Sequence, residues 1–338
     1  MSSYSKSEKI LHKLYLANYF LSKSSLELEE IIFGPKTKNI EIQEYVFITG
    51  LARSGTTALM NKIFASNEYA SLQYSNMPIL LSPNFWNKKL KIAAHERAHK
   101  DGIIIDGNSP EEFDEYFWKV FMKDSYISDG LLPHTVNEEI VNKYLTYISL
   151  ICLSKQKQKY ISKNNNNILR LSTLKNINNS KIFILFREPI SHASSLMKLH
   201  RSFSDSQLDD PFVLDYFNYL GHHEFGLNHK PFLLTTNFID SRTQYALEDI
   251  NYWLILWINY YEYILENFDD SLMLISFEDL INEPDSVFEY VGKNLQVESF
   301  PKSTKKHKPM IYKSVPCNLE LQNRAEQVYI KLTDLKKY

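Results

Sequence analysis

The residues with the clearest chemical potential lie in a loop at positions 50–57, between an apolar segment and a helical pattern. The segment before it, 45–49, is rich in β-forming residues, and the residues after it, 58–64, have helical spacing. A strand, a tight loop and a helix in this order favour anion binding, because backbone N–H groups and the helix N-terminus face the loop. The predicted anion-binding residues are Gly50, Arg53, Ser54, Gly55, Thr56 and Thr57.

The position of the positive charge in this loop narrows the choice of anion. Gly50 and Gly55 are spaced like the two glycines of a nucleotide-triphosphate loop, but Thr56 follows Gly55 where such a loop has its lysine. The fixed cation is Arg53, inside the loop. The loop is therefore expected to hold a phosphate-like anion and to be poorly suited to Mg-ATP.

A second cationic site follows the apolar run 181–186, which reads as a strand buried on both faces of a parallel sheet. Arg187 comes directly after this run, a helix is predicted to open at Pro189, and Ser195 lies eight residues after Arg187. Ligands of α/β sheets bind beyond the carboxyl ends of the strands, so Arg53 and Arg187 are expected to face one crevice. A guanidinium group suits phosphate because it can bind two oxygens at once.

These two motifs resemble the donor-binding motifs of sulfotransferases that use 3′-phosphoadenosine 5′-phosphosulfate (PAPS). Arg-Ser-Gly-Thr-Thr at 53–57 resembles their 5′-phosphosulfate loop, and Arg187 with Ser195 resembles their 3′-phosphate motif. The resemblance covers about residues 43–297 and is sharp only at these motifs. It implies that Arg53 contacts the transferring sulfonate, that residues 54–57 hold the 5′-phosphate, that PAP is the spent donor and that no metal takes part.

The catalytic base is where the chain departs from this family. Cytosolic members carry Lys-Thr-His on a strand before the 3′-phosphate motif; here Lys163 matches the lysine, but Asn165 stands in the place of the histidine. Members with a glutamate carry it about 20 residues past the loop arginine, where this chain has Gln73. An amide cannot act as a base. By resemblance Lys163 is a cation for the sulfonate or the bridging oxygen.

The base is therefore expected from another segment. One candidate region runs from His95 through the acidic residues 111–115, and the segment 221–226 is another. The acids of 111–115 otherwise read as a solvated helix face. His95 and His99 have the spacing of two ligands on a helix, but no third ligand accompanies them, so a metal site is not expected. The named candidates for the base are His99, Asp101 and Glu115.

Composition excludes several other classes of protein. The 338 residues carry a net charge of −2, so nucleic acid is not an expected partner. The two cysteines, Cys152 and Cys317, suit a reducing compartment, and we expect a cytoplasmic location. No run of about 18 apolar residues predicts a membrane span.

The alternation of predicted strands and helices indicates one three-layer α/β/α domain over residues 1–338, with a central parallel sheet and the P-loop NTPase-like fold of sulfotransferases. A packing helix is predicted at 7–33, ended by Gly34-Pro35, and another at 320–335. A further helix is expected to start at Ser109-Pro110, after an irregular insertion at 78–106. The oligomeric state is not indicated.

Three functional hypotheses remain open from the sequence. The first is transfer of a sulfonate from PAPS to a hydroxyl or amine of an acceptor such as a carbohydrate, a glycolipid or a small metabolite. The second is a small-molecule kinase on a similar sheet, which would need a lysine on the phosphates. The third is a non-catalytic descendant that binds a nucleotide or a partner, since the usual base is missing.

Overall fold

The fold is seen in a computed structural model, which describes residues 4–86, 95, 96, 104–301 and 315–338. Its centre is a parallel sheet of five strands in the order β2-β5-β1-β6-β7. The predicted parallel sheet is thereby confirmed. The strands are β1 Glu44–Thr49, β2 Tyr69–Ala70, β5 Lys159–Lys163, β6 Ser180–Phe186 and β7 Leu272–Ser276, with a separate antiparallel pair, β3 His95–Glu96 and β4 Ile104–Ile105.

Side chains along each central strand pack alternately into two different apolar cores. Phe47 and Ile184 pack in the larger core, whereas Val46 and Phe183 pack in the smaller one. Because side chains alternate across a strand, the two cores lie on opposite faces of the sheet. This explains the continuous apolar runs in the sequence and gives the three predicted layers.

Helices cover both faces of the sheet. The smaller core takes its helical residues from α3, α11 and α12, and the larger core from helices that include α5, α7, α10 and α13. The helices are α1 Lys6–Leu16, α2 Tyr19–Thr37, α3 Thr56–Phe64, α4 Glu115–Met122, α5 Glu138–Lys155, α6 Leu171–Lys175, α7 Pro189–Asp209, α8 Pro211–Leu220, α9 Thr236–Ser241, α10 Ile250–Glu266, α11 Phe277–Asn282, α12 Pro284–Leu295 and α13 Leu319–Asp334; 3₁₀ turns occupy Tyr74–Asn76 and Asn165–Arg170.

The register of the sheet sets the ends of β1, β5 and β6 side by side. Ile48 pairs with Lys163 of β5 on one side and with Phe183 of β6 on the other. All strands of this sheet point the same way, so the residues that follow them meet at one edge. This edge of the sheet therefore carries the loop at 50–55, Lys163 and Arg187.

The single helix predicted at 7–33 is wrong. The chain forms α1 and α2, separated at Ala17 and Asn18, where the Asn18 side chain caps α2 by accepting a hydrogen bond from the Leu21 N–H. An asparagine favours such a cap over a helix interior because its side chain competes for backbone groups. The predicted stop at Gly34-Pro35 is also wrong, since α2 continues to Thr37 with Pro35 in its last turn.

The helix predicted to begin at Ser109-Pro110 starts later, at Glu115. Residues 109–112 instead run alongside the segment after β2: the Tyr74 N–H donates to the Ser109 carbonyl at 3.3 Å, and the Glu111 N–H donates to the Leu72 carbonyl at 3.3 Å. The hydrogen bonds to residues 72–74 hold this segment extended, so Ser109-Pro110 does not start a helix. The consequence is that Glu111 and Glu112 lie in a loop beside the end of β5.

Candidate active site

The loop after β1 depends on two glycines with positive φ. Gly50 has φ 147°, and a Cβ there would lie 2.5 Å from the Leu185 carbonyl oxygen. Gly55 has φ 95° and is the N-cap residue before α3; its Cβ would lie 2.8 Å from the ring of Phe277. A side chain would be strained at both positions. The loop can therefore close tightly and present the first N–H groups of α3, which have no partner within the helix.

Two arginines that were predicted to share a crevice lie together beside this loop. One Arg187 guanidinium nitrogen donates to the Arg53 carbonyl oxygen at 3.1 Å, and another donates to the Ser191 hydroxyl at 2.7 Å. The Arg53 Nε–H donates to the Ser195 hydroxyl at 3.4 Å. Arg53, Arg187 and Ser195 thus belong to one site at the ends of β1 and β6.

His192 and Phe277 support this pair of arginines, and sequence reasoning did not single them out. His192 is fully buried and its Nε2–H donates to the Ala52 carbonyl oxygen at 2.8 Å. Burial, and then the cationic Arg187, lower its pKa to about 3, so the imidazole is neutral. The guanidinium of Arg187 lies 4.6 Å from the centre of the Phe277 ring, a cation–π contact. The Arg-x-x-x-x-His spacing and the aromatic after β7 were the only sequence signals available.

Lys163 lies at the end of β5 among carboxylates. Its ammonium nitrogen is 2.5 Å from Glu112 Oε2 and 3.6 Å from Glu111 Oε1. The other oxygen of Glu112 accepts from the Asn165 backbone N–H at 2.6 Å. Glu112 is 3% exposed, so it is not the solvated face predicted for the acids of 111–115. Its carboxylate balances the lysine charge and anchors the chain after β5.

Glu115, one of the three candidates for the base, is engaged in a buried ion pair. Its two carboxylate oxygens accept from the guanidinium of Arg170 at 2.7 and 2.9 Å, and Asn164 and Tyr126 donate to it as well. Burial favours the neutral acid, but Arg170 outweighs it and the pKa of Glu115 is lowered. A carboxylate of lowered pKa with both oxygens bound is a poor proton acceptor. The other two candidates, His99 and Asp101, lie outside the described residues.

Gln73 and Asn165, the two amides at positions where the resemblance implies a base, have different surroundings. Gln73 is held by the Asn108 carbonyl at 2.7 Å and by Lys155 at 2.5 Å. Asn165 donates through its side-chain nitrogen to Glu224 Oε1 at 3.3 Å. Burial, and then the charge of Glu112, raise the pKa of Glu224. The segment 221–226, the second region considered for the base, thus reaches the site through Glu224.

The described residues contain neither a metal-binding cluster nor a membrane-spanning helix. No group of three or more His, Cys, Asp or Glu there is arranged to hold a metal ion. None of the helices in the same ranges has both the length and the apolar character that a membrane crossing requires.

Comparison with solved structures identifies the class of fold. The sulfotransferase STF9 from Mycobacterium avium matches 96% of this chain and 76% of its own at a TM-score of 0.51 and 12% identity. The sulfotransferase STF1 from Mycobacterium tuberculosis H37Rv matches 95% of this chain and 84% of its own at a TM-score of 0.48 and 12% identity. No protein-family model matches the chain, and a search of curated proteins gave no match.

The chain therefore has the sulfotransferase fold, and the resemblance read from its motifs is confirmed at the level of fold. At the carboxyl edge of its sheet it gathers an N–H-rich loop, two arginines, a lysine and a buried carboxylate of raised pKa. Chemically, such a site can hold an anion with charge at two points and accept a proton nearby.

Proposed function

We propose that this protein is a PAPS-dependent sulfotransferase, which moves a sulfonate group from PAPS to a hydroxyl or amine of an acceptor. The observation that carries the proposal is the joining of two cationic sites, since Arg187 donates to the Arg53 carbonyl oxygen at 3.1 Å and Arg53 donates to Ser195. Each had been assigned to a different end of the donor from the sequence.

The chemistry of the site suits a donor with phosphate groups at both its 5′ and 3′ positions. The loop offers backbone N–H groups and the hydroxyls of Ser54, Thr56 and Thr57 to one anionic group. Arg187 and Ser195, at the start of α7, are placed for the other. Guanidinium groups bind phosphate through paired hydrogen bonds. No residue supplies the loop lysine that a nucleoside triphosphate would need.

The residues around the loop have separate tasks in this proposal. Arg53 stabilises the charge that builds on the sulfonate as it is transferred. Lys163 is the cation for the bridging oxygen, and its pairing with Glu112 at 2.5 Å keeps a buried ammonium charged until a donor is present. Gly50 and Gly55 keep the loop backbone close to the anion.

We further propose an acceptor class, a location and a domain organisation. A carbohydrate or glycolipid hydroxyl is our proposed acceptor, beside small hydroxylated metabolites. Cys152 and Cys317 are both free thiols, which supports a cytoplasmic location. We propose that residues 1–338 form a single sulfotransferase domain.

Ligand-dependent thermal stability tests the donor. PAP at millimolar concentration, without Mg²⁺, should raise the melting temperature by several degrees, because a ligand bound only to the folded state stabilises it. ATP with Mg²⁺ should give a smaller shift. Transfer of radiolabelled sulfonate from PAPS to a library of acceptors then separates an enzyme from a non-catalytic binder. Stabilisation by Mg-ATP beyond that by PAP would instead favour the kinase.

A further inference from the structure

The position at which relatives carry a catalytic histidine is here occupied by an asparagine with a defined set of contacts. The Asn165 backbone N–H donates to Glu112 at 2.6 Å, and its carbonyl oxygen accepts from the Thr49 hydroxyl at 3.2 Å and from Tyr260 at 3.4 Å. Thr49 is the last residue of β1, directly before Gly50. Asn165 is therefore held against the residue that immediately precedes the proposed donor loop.

The side chain of Asn165 leads from this fixed backbone to Glu224. Its amide nitrogen donates to Glu224 Oε1 at 3.3 Å, and its amide oxygen, which is buried, accepts no hydrogen bond from the described residues. The loop that carries Glu224 is itself fixed, because the His229 imidazole hydrogen-bonds to the Glu224 carbonyl oxygen at 2.6 Å. A carboxylate and an open amide acceptor thus stand side by side.

Glu224 also shares a pocket with the proposed donor loop. The pocket is lined by Leu51 and Ala52 of the loop, by Glu224, and by apolar side chains that include Phe232 and Trp253. Glu224 is 8% exposed. A carboxylate in such surroundings keeps its proton more readily than one in water, which brings its basicity closer to what general-base catalysis at neutral pH requires.

From this geometry we infer that Glu224 is the catalytic base of the reaction and that Asn165 is its positioning residue. The inference rests on the proposed sulfotransferase function. In the step, the acceptor O–H proton passes to the Glu224 carboxylate while the acceptor oxygen bonds to sulfur. The bond from sulfur to the bridging phosphate oxygen breaks, and its electron pair leaves with PAP.

The neighbouring carboxylates of Glu112 and Glu115 fit the role of a base less well than Glu224 does. Both oxygens of Glu112 are taken, one by Lys163 and one by the Asn165 N–H. Both oxygens of Glu115 are taken by Arg170. Among the described residues the Glu224 side chain has one long hydrogen bond, from Asn165, and Glu224 is one of the residues that line the pocket, so its carboxylate can exchange that hydrogen bond for an acceptor hydroxyl.

The first test is the variant Glu224→Gln, which keeps the size of the side chain and removes the basic group. The probes are radiolabelled PAPS with a primary alkyl alcohol or N-acetylglucosamine as acceptor, whose hydroxyls do not ionise near neutral pH, and PAP for binding. We expect kcat to fall by about 10²- to 10⁴-fold, with the PAP dissociation constant within about twofold of wild type. Glu266→Gln, an exposed carboxylate at the end of α10, is the matched control and should leave kcat unchanged.

The pH profile separates a base from a structural residue. Wild-type kcat/KM should rise with pH through the raised pKa of Glu224, and the variant should lose this limb. The titratable groups around Glu224 are Glu112, His222, His229 and Lys230, so the rise of kcat/KM with pH reports this group of residues as a whole. Asn165→Leu removes a hydrogen bond to the charged carboxylate, so it should move the limb to higher pH and lower kcat about tenfold.

Failure of this inference and failure of the proposed function give different results. If wild type binds PAP and transfers sulfonate, and Glu224→Gln does so at an undiminished rate with an unchanged pH profile, Glu224 is not the base. If wild type does not bind PAP at all, the sulfotransferase proposal falls and the role of Glu224 falls with it.

Discussion

Arg187 donates a hydrogen bond from its guanidinium group to the main-chain carbonyl oxygen of Arg53 at 3.1 Å. The two residues are far apart in the chain and follow neighbouring parallel strands, β1 and β6. This contact ties the shape of the loop to the start of α7. Together with the hydrogen bonds from His192 to the Ala52 carbonyl and from Arg53 to Ser195, it joins the loop to α7 at three points.

Removing the guanidinium of Arg187 should weaken donor binding. In Arg187→Ala, the loss of charge-assisted hydrogen bonds to a phosphate, each typically worth about 1.5–3 kcal/mol, should raise the PAP dissociation constant roughly 10- to 100-fold. Isothermal titration calorimetry measures this directly. Arg201→Ala, an exposed arginine on the same helix, is the control and should bind PAP like wild type. An unchanged constant in the Arg187 variant would refute its assignment.

Arg53 should matter for turnover and not for folding. Its φ of 72° is a conformation that costs most residues energy and costs glycine little. In Arg53→Gly the relief of this strain should roughly offset the greater entropy of the unfolded chain, so that stability stays within about 1 kcal/mol of wild type. Transfer from PAPS should nevertheless fall by at least about 10²-fold, because the charge on the sulfonate loses its partner. Chemical denaturation and a radiolabel assay on one protein sample check both halves, and retained transfer would contradict the role.

Gly50 should not tolerate a side chain. In Gly50→Ala the new Cβ would lie 2.5 Å from the Leu185 carbonyl and 2.8 Å from the Ser54 hydroxyl, so the loop must move. We expect PAP-induced thermal stabilisation to disappear and the melting temperature to drop. Gly34→Ala is the comparison, because Gly34 lies in α2 and a Cβ added there would have nothing within 4 Å. This variant should gain about 0.5–1 kcal/mol in free energy of unfolding. If Gly50→Ala and Gly34→Ala had the same melting temperature and the same stabilisation by PAP, the loop would not depend on the close approach of Gly50 to Leu185.

The sequence predicted those features that depend on local pattern. The apolar run 181–186 predicted the buried strand β6 because a strand covered on both faces has no reason to alternate. The two arginine motifs could be placed at one sheet edge because parallel strands end together. The central sheet and its layers follow from the same reasoning.

What the sequence did not predict depends on contacts between distant segments. The acids of 111–115 were expected on a solvated helix, but pairing of residues 109–111 with the segment after β2 turns Glu112 toward Lys163. The partner of Glu115 is Arg170, which no spacing rule connects to it. No motif within 221–226 marks Glu224, because its contact is with Asn165, which lies far away in the sequence.

The buried pair of Glu115 and Arg170 should stabilise the fold. Glu115→Gln leaves the guanidinium of Arg170 buried without its counter-charge, which typically costs about 3–5 kcal/mol of unfolding free energy. Urea denaturation measures this loss. Asp129→Asn, which breaks an ion pair between Arg242 and an exposed aspartate, should change stability little. If Glu115→Gln were as stable as wild type but inactive, Glu115 would have to be returned to the candidates for the base.

Asp114, next to that pair, should make stability depend on pH. Burial, and then the charge of Glu115, raise its pKa from 3.8 to about 6. A carboxyl whose pKa is raised in the folded state stabilises it fully below pH 4 and loses that contribution as the pH rises through about 6. Asp114→Asn stays neutral at every pH. Its free energy of unfolding should therefore rise relative to that of wild type between pH 4 and pH 7, by up to about 3 kcal/mol. Denaturation curves across this range give the difference, and Asp205→Asn, on the exposed face of α7, should show no such trend. A difference between Asp114→Asn and wild type that stays constant with pH would mean that the Asp114 carboxyl titrates alike in both states.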